Sequence, residues 1–189
     1  MHLQEADEGQ GLPLWADLGL TALLTVIFVV LLRTFVVDSY RIPTGSMLDT
    51  IKLDNLLFGE KISYYFRTPQ VGEVVTFADP EDPETTLIKR VIATEGQVVD
   101  LVDGAVVVDG VALDEPYVEG KPSDPIARHA KNLTESVSYP LTVPEGCLWV
   151  MGDNRTNSLD SRYFGPVDVS SIRSHAVFIY WPLQDMRTL

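Results

Sequence analysis

Residues 98–110 read VVDLVDGAVVVDG, two Val-rich runs that are joined by Asp103 and Gly104. Gly adopts a positive φ without penalty and Asp tolerates one, and a two-residue hairpin turn requires that conformation. Short β-branched runs on either side of such a turn are typical of paired antiparallel strands. The segment therefore predicts a β-hairpin with strands at 98–102 and 105–108.

The chain around this hairpin has the same strand-and-turn character. Apolar or alternating runs, separated by Pro and Gly, recur at 55–62, 71–78, 86–93, 136–143, 147–151 and 176–181. No stretch after residue 50 keeps an apolar period of 3.6 residues over three turns, as an amphipathic helix would. We therefore predict a mostly β domain, a barrel-like or sandwich arrangement of short antiparallel strands, with solvated loops at 79–84 and 119–132.

An apolar block precedes this domain. Residues 14–37 read LWADLGLTALLTVIFVVLLRTFVV, and no charged residue occurs from Leu18 to Leu32. As a helix, residues 15–37 would span about 34 Å, enough to cross a bilayer core of about 30 Å. A cleavable signal peptide would begin with basic residues, which 1–13 lack, and a buried core helix would show a polar stripe. We predict a short acidic tail at 1–13, a retained transmembrane helix at 14–37 and the β domain at 38–189.

The charge balance limits the kinds of partner. The chain has 14 Lys and Arg residues against 27 Asp and Glu residues, a formal net charge of -13. Proteins that bind nucleic-acid backbones carry the opposite sign, so we expect no nucleic-acid partner. All Lys and Arg residues lie at or after Arg33, which taken alone places the C-terminal domain in the cytoplasm. This signal is weak, because folded domains translocate largely regardless of charge.

Disulfide, metal and nucleotide chemistry find no support in the sequence. Cys147 is the single cysteine and lies in an apolar run, so we expect it to pack rather than to react. The three histidines, His2, His129 and His175, are scattered, and no Cys/His cluster or Gly-rich phosphate loop occurs. We therefore expect no metal, no cofactor and no histidine-based catalytic triad.

The first segment that could carry chemistry is RIPTGSMLDT at 41–50. Gly45 lets another backbone approach closely, so Ser46 could be presented to a bound peptide. Met47 follows it, and we expect this apolar side chain to be exposed. The alternative interpretation is an ordinary turn rich in Ser and Thr.

The second segment, TLIKRVIA at 86–93, places Lys89 within an apolar strand. Burial disfavours the charged form of lysine and lowers its pKa from about 10.4 toward neutrality. A neutral lysine can take the proton of a serine hydroxyl, as in the Ser-Lys variants of the catalytic triad. In the alternative interpretation, Lys89 and Arg90 both reach water from an edge strand.

The third segment, MGDNRTNSLDSRYFGPV at 151–167, is crowded with polar side chains. The apolar run GCLWVM is followed by a series of polar side chains, a pattern that favours a hydrogen-bonded network supporting a site. Among them are Asp153, Asn154, Arg155, Ser158, Asp160 and Arg162. The alternative is a solvated surface loop or a metal loop. The spacing of the acids does not fit a calcium loop of the alternating type that ends in Glu.

Together the three segments resemble bacterial type I signal peptidases, Ser/Lys proteases that remove signal peptides from exported proteins. The similarity runs from the apolar block through Trp181, and IPTGSM, IKRVIA and GDNRTNSLDSRYFGPV occur in the family's order. The resemblance implies that Ser46 is the nucleophile and Lys89 the general base. It also implies an oxyanion hole formed by the Thr44 hydroxyl and the Ser46 backbone N–H.

The resemblance further assigns supporting roles in the third segment. It implies that Ser158 hydrogen-bonds Lys89, that Asp160 pairs with Arg162, and that Asp153 helps to fix the same loop.

Ile42 and Ile88 match positions that line shallow substrate pockets in this family. The resemblance implies that these pockets accept small residues, typically Ala-X-Ala before the cut. The implied partners are membrane lipid and preproteins that bear signal peptides. The resemblance also implies a position near the secretion translocon. The β-rich peptidase domain would then lie on the outer face of the cytoplasmic membrane.

A few positions depart from the family's pattern, and two other functions remain open. Asp49 stands where the family usually has Pro, Ala93 where it has Gly, and Gly96-Gln97 where it has Gly-Asp. One alternative is a self-cleaving repressor protease of related β fold, although such proteins are soluble. The other is a membrane-tethered binding module with an inactive site.

Overall fold

The structure is a computed structural model and describes residues 13–189. These residues fall into two compact units, one that ends at Val36 and one that spans Val37–Leu189. The acidic tail predicted at 1–13 lies outside the described residues, except for Pro13.

The first unit contains one long helix, α1, at Leu14–Phe35. Its 22 residues span about 33 Å at about 1.5 Å per residue. Asp17 in the first turn and Arg33 in the last turn both suit the helix dipole. By length and composition α1 could cross a membrane, as predicted for 14–37, although the helix ends two residues before the predicted boundary.

The second unit is mostly β, and its elements follow one another in short succession. The strands are β1 Val37–Arg41, β2 Leu56–Glu60, β3 Val74–Ala78, β4 Thr86–Thr94, β5 Val98–Val102, β6 Ala105–Val108, β7 Val111–Ala112, β8 Leu141–Thr142, β9 Cys147–Met151, β10 Val167–Asp168, β11 Ile172–Trp181 and β12 Arg187–Thr188. A short helix, α2, lies at Ser161–Phe164.

All strand pairs in the described residues are antiparallel and form two sheets. The larger sheet has the order β1-β2-β11-β3-β4-β9-β10, and β12 pairs with β11. The smaller sheet has the order β7-β6-β5-β8. The mostly β, antiparallel fold class is therefore confirmed. The barrel-like expectation is met only loosely, because neither sheet closes on itself in the part of the chain described.

The hairpin predicted from the Asp-Gly turn is present. Strands β5 and β6 pair with Val102 opposite Ala105. Asp103 and Gly104 between them have φ angles of 50° and 79°. Two consecutive positive φ angles are what a type I′ turn requires.

A buried cluster joins the two sheets. Ile92 of β4 and Trp149 of β9 pack there against Val99 of β5 and Val106 of β6. Burying side chains of this size stabilises a fold by about 1.5–3 kcal/mol each, so the cluster holds β4 firmly. This strand is also central in the larger sheet, between β3 and β9. Residues in its middle therefore lie on a rigid support.

Candidate active site

Ser46 lies in the turn-rich segment between β1 and β2. The segment is tied at its base, where the Ile42 N–H donates to the Asn55 carbonyl at 3.0 Å. Met47 and Ile51 are fully buried in a core cluster beneath the segment. The expectation that Met47 is exposed was therefore wrong, because this side chain fixes the turn to the core. Ser46 itself keeps 9% of its surface exposed.

Lys89 lies in the middle of β4 and reaches Ser46 through the protein interior. Its Nζ donates to Ser46 Oγ at 2.8 Å and to the Ile88 carbonyl at 2.9 Å. The side chain is 3% exposed, so it does not extend to water as the edge-strand alternative required. Residues 43 positions apart in the sequence are thus brought into hydrogen-bonding contact.

Burial changes the acidity of this lysine. It lowers the pKa of Lys89 from 10.5 to about 8, because a desolvated ammonium is disfavoured. The carboxylates of Asp160, Asp153 and Asp79 oppose the shift by favouring the charged form. The balance leaves an amine that can be neutral under mildly alkaline conditions and can accept a proton from Ser46 Oγ.

The two groups that the resemblance assigns to an oxyanion hole are the Ser46 N–H and the Thr44 hydroxyl. The Ser46 N–H donates no hydrogen bond to any residue that the structure describes. Thr44 is exposed and lines both cavities that open at Ser46. A backbone N–H and a hydroxyl beside a nucleophile are the usual components of an oxyanion hole.

Asp160 and Arg162 form the ion pair that the resemblance implied. Arg162 Nε donates to Asp160 Oδ1 at 2.9 Å, and Arg162 Nη2 donates to Asp160 Oδ2 at 2.9 Å. Asp160 Oδ2 also accepts from the Gly152 N–H at 3.0 Å. Both side chains are buried. We call the segment between β9 and α2 the 152–160 loop. Asp160 holds the end of this loop against its start, next to the end of β9.

The hydrogen bond expected between Ser158 and Lys89 is not formed. Ser158 Oγ is buried and has no hydrogen-bond partner among the residues described. Lys89 instead directs its donors at Ser46 and at the Ile88 carbonyl. Ser158 Oγ lies against Gly152, where an added Cβ would collide with it and with the Ser46 carbonyl oxygen. The lack of a side chain at Gly152 therefore lets the loop approach the nucleophile closely.

Asp153 joins its own loop to two other parts of the chain. It accepts from Arg90 Nε at 2.9 Å and from Arg90 Nη2 at 2.7 Å. It also accepts from the Thr50 hydroxyl at 2.5 Å. Asp153 is fully buried, and Arg90 is largely buried beside it. The carboxylate thus links the 152–160 loop to β4 and to the end of the nucleophile segment.

The sequence analysis included Asn154 and Arg155 in the polar network but assigned no partner to either. Arg155 is buried and donates to Glu115 at 2.5 and 2.9 Å and to Ser123 Oγ at 2.5 Å. Ser123 is buried although the loop 119–132 was expected in solvent. Asn154 hydrogen-bonds the nucleophile segment. Crowded polar residues at 151–167 marked the loop, but nothing in the sequence identified their partners.

Two cavities meet at the Ser46–Lys89 contact. The smaller has a volume of about 130 Å³ and is lined by Ile42 and Ile88, as the resemblance implied. The larger, of about 600 Å³, includes Ser158 and extends toward Pro122 and Leu159. Thr44, Ser46 and Lys89 border both. A peptide that reaches Ser46 would therefore find a small apolar recess on one side and a larger, more polar space on the other.

Cys147, which we expected to pack, is partly buried. Burial raises the pKa of its thiol. Among residues 13–189, no group of three or more His, Cys, Asp or Glu side chains is arranged to hold a metal ion.

Comparison with known proteins gives a consistent result. The family model described as signal peptidase, peptidase S26, matches residues 15–181. A probable signal peptidase I-1 of Synechocystis sp. is 38% identical over 167 residues, covering 85% of this chain and 79% of its own. The signal peptidase I of Bacillus caldolyticus is 32% identical over 163 residues, covering 85% of this chain and 88% of its own. A crystal structure of a signal peptidase I from Enterococcus faecalis V583 is 30% identical and aligns with a TM-score of 0.45, over 58% of this chain and 97% of that one.

Proposed function

This chain belongs to the signal peptidase family, peptidase S26, as a serine endopeptidase that acts on signal-peptide-bearing preproteins, and we propose that Ser46 and Lys89 carry out the cleavage. The observation that carries the proposal is the buried contact of 2.8 Å between Lys89 Nζ and Ser46 Oγ. A nucleophile in hydrogen-bonding reach of a base is the arrangement that covalent catalysis requires.

In the acylation step, neutral Lys89 accepts the Ser46 Oγ–H proton as Oγ attacks the scissile carbonyl carbon. The Oγ–C bond forms, and the carbonyl electron pair moves to the oxygen of the tetrahedral intermediate. Lys89, now an ammonium, gives its proton to the nitrogen of the leaving chain as the C–N bond breaks. The mature protein leaves with a free amino terminus, and the signal peptide remains esterified to Ser46.

The oxyanion would be bound by the Thr44 hydroxyl and the Ser46 N–H. Support comes from the exposed position of Thr44 and from the lack of a hydrogen-bond acceptor for the Ser46 N–H among the described residues. Removing one donor of this kind from other enzymes costs about 10²–10³ in rate. Deacylation repeats the chemistry with water, whose proton passes to Lys89 while its oxygen attacks the ester carbonyl carbon. The Oγ–C bond then breaks, Lys89 returns the proton to Ser46 Oγ, and the signal peptide leaves with a free carboxyl group.

Substrate selectivity would arise from the smaller cavity. The smaller cavity, of about 130 Å³, is mostly apolar and is bounded by Ile42 and Ile88, which favours an uncharged side chain. We assign it to one of the small residues of an Ala-X-Ala cleavage site. The bulk of the two isoleucines then excludes larger residues by steric overlap rather than by charge.

Membrane attachment would be provided by α1, whose length and composition fit a bilayer core. We propose that residues 14–37 form the anchor and that residues 38–189 form the peptidase domain. This domain would lie on the outer face of the cytoplasmic membrane. Signal peptides emerge from the secretion translocon on that side, so the cleavage site and the dyad would meet at the lipid surface.

The proposal is tested with the full chain in detergent and a preprotein that carries an Ala-X-Ala site. We expect mass spectrometry to place a single cut after the second Ala, and Ser46→Ala to abolish it. Ser170→Ala changes an exposed serine far along the sequence and serves as the matched control. Cleavage by Ser46→Ala at the wild-type rate would refute the assignment of the nucleophile.

A further inference from the structure

Asn154 makes two hydrogen bonds to consecutive carbonyl groups of the nucleophile segment. Its side-chain Nδ2 donates to the Gly45 carbonyl at 2.8 Å, and its backbone N–H donates to the Ser46 carbonyl at 3.1 Å. Asn154 is 8% exposed, so water competes little for these bonds. Asn154 takes no part in the acylation and deacylation steps proposed above.

The first of these bonds acts on a particular peptide group. The Gly45 carbonyl and the Ser46 N–H belong to the same planar peptide unit, and in a trans unit they point in opposite directions. Fixing the carbonyl oxygen therefore also fixes the direction of the N–H. That N–H has no acceptor among the described residues, which is the state expected of a donor kept ready for a substrate oxygen.

The rest of the segment does little to fix this peptide plane. Gly45 and Ser46 lie outside β1 and β2 and so have no strand partner. The Gly45 carbonyl accepts one other backbone bond, from the Leu48 N–H, at the longer distance of 3.2 Å. A glycine on one side of the plane also permits wide rotation. Asn154 thus supplies the shorter of the two restraints on the orientation of the Ser46 N–H.

The same bond affects the strength of the donor. A hydrogen bond to a carbonyl oxygen polarises the amide, and linked hydrogen bonds strengthen one another in a medium of low dielectric constant. Stabilisation of an oxyanion depends on donors that are already oriented before charge develops. Both effects act in the transition state and only weakly on the bound substrate.

We propose that Asn154 is a positioning residue that orients the Gly45–Ser46 peptide so that the Ser46 N–H points at the oxyanion. The inference deepens the proposed function and rests on it. Asn154 does not touch the substrate, so its loss should lower kcat and leave KM nearly unchanged. The pH dependence set by Lys89 should also stay in place in Asn154→Ala, because this change adds no charge near the base.

The test compares Asn154→Ala and Asn154→Asp with wild type in the full chain. The aspartate variant keeps the side-chain volume and loses the donor, so it separates lost orientation from a cavity. Asn132→Ala is the matched control, since Asn132 Nδ2 also donates to a backbone carbonyl, that of Phe164, at 2.9 Å and lines neither cavity. Titration with a serine-acylating inhibitor counts competent sites, so kcat refers to folded enzyme only.

We expect kcat to fall about 10- to 100-fold in both Asn154 variants, less than for removal of an oxyanion donor. Affinity for a peptide aldehyde should fall by the same factor, because Ser46 adds to its carbonyl and leaves an oxygen in the oxyanion position. Affinity for the cleaved signal peptide and the activity of Asn132→Ala should not change.

The inference is overturned if kcat is unchanged in both variants, or if kcat falls while the affinity for the aldehyde does not. A change confined to KM would equally overturn it. These results are distinct from failure of the proposed function, which would show as activity in Ser46→Ala. An inactive Ser46→Ala together with fully active Asn154 variants would refute the positioning role alone.

Discussion

Lys89 combines two properties that conflict in a stable protein. It is buried in the middle of β4, yet it carries a group that is ordinarily charged. Burial is also what lowers its pKa to about 8, the property on which its proposed role as a base depends. The same residue should therefore make the fold less stable than an apolar residue of similar length would.

This conflict predicts how stability depends on pH. Below about pH 8 Lys89 is protonated in both folded and unfolded states, so its burial destabilises the fold fully. Between about pH 8 and 10.5 the unfolded chain binds the proton and the folded one does not, so stability rises with pH. Relative to Lys89→Met, wild type should gain about 3 kcal/mol over this interval, since one pKa unit corresponds to about 1.4 kcal/mol.

Urea unfolding of both proteins at several pH values measures the effect. Taking the difference between them removes the contributions of other titrating groups, such as tyrosines. A difference in unfolding free energy that does not change between pH 7 and pH 11 would contradict the assignment of a depressed pKa to Lys89.

Single residues also show where sequence-based prediction reaches its limit. The apolar neighbours of Lys89 on both faces of TLIKRVIA were consistent with its burial, but the sequence left open an edge strand from which the lysine reaches water. That Ser158 does not hydrogen-bond Lys89 could not be predicted in the same way, because it depends on a rotamer and on the close approach at Gly152. Nor could the bonds of Asn154, which join positions 109 apart in the chain.

At the scale of elements, the 152–160 loop joins β4, the nucleophile segment and the region around Glu115 through buried polar contacts. Asp153 binds Arg90 of β4 and Thr50 of the nucleophile segment, and Arg155 binds Glu115. Buried ions of this kind are held by their partners, and removing one partner leaves an uncompensated charge. The geometry of the dyad should therefore be sensitive to this loop.

We predict that Asp153→Ala lowers the unfolding free energy by about 3–5 kcal/mol, the usual effect of breaking a buried ion pair from one side. Activity should fall as well, because the loop, β4 and the nucleophile segment lose a common contact. The measurement is chemical denaturation together with preprotein cleavage under folding conditions.

Arg41→Ala provides the control for stability. It removes an ion pair of similar length, 2.8 Å to Asp54, whose side chains are 72% and 70% exposed. Exposed pairs stabilise by at most about 1 kcal/mol. Equal losses of unfolding free energy in the two variants would show that burial does not determine the contribution of Asp153.

Strand prediction succeeded for most of the longer strands, but β1 was not predicted as a strand, and of the run predicted at 136–143 only β8, Leu141–Thr142, is a strand. The strands at 98–102, 105–108 and 147–151 have the predicted bounds, and 86–93 differs by one residue. The two-residue strands β7, β10 and β12 were not predicted, because a pair of residues has no period. Strand β1 begins two residues after the end of α1, and its first residue, Val37, was assigned to the apolar block at 14–37.

At the scale of the whole molecule, the sequence predicted the β class and the apolar helix but not the sheet arrangement. Whether two sheets close, pack or stay open depends on pairings between distant strands, such as β2 with β11. Local alternation of apolar and polar residues contains no information about such pairings. The resemblance to the family was inferred from the motifs at 42–47, 88–93 and 152–167 taken together.

If α1 spans the membrane, the full chain should be found in the membrane fraction of cells. We expect it to remain in the membrane fraction after alkaline carbonate extraction. Replacing Leu23 and Val29 by Lys, near the centre of α1, should release it, since each Lys there costs about 2.5–3.5 kcal/mol on insertion. Asp82→Asn with Glu84→Gln changes the net charge by the same two units in an exposed loop and should not release the chain. Extraction of wild type by carbonate would contradict membrane anchoring.

The most direct test of the Ser46–Lys89 dyad is the pH dependence of kcat/KM for an Ala-X-Ala peptide, measured for wild type and Lys89→Met. We predict that wild-type activity rises with pH to a plateau governed by a single group with a pKa near 8, because only neutral Lys89 can take the proton of Ser46. Lys89→Met should show no turnover at any pH. Turnover by Lys89→Met with the same pH profile as wild type would contradict the dyad.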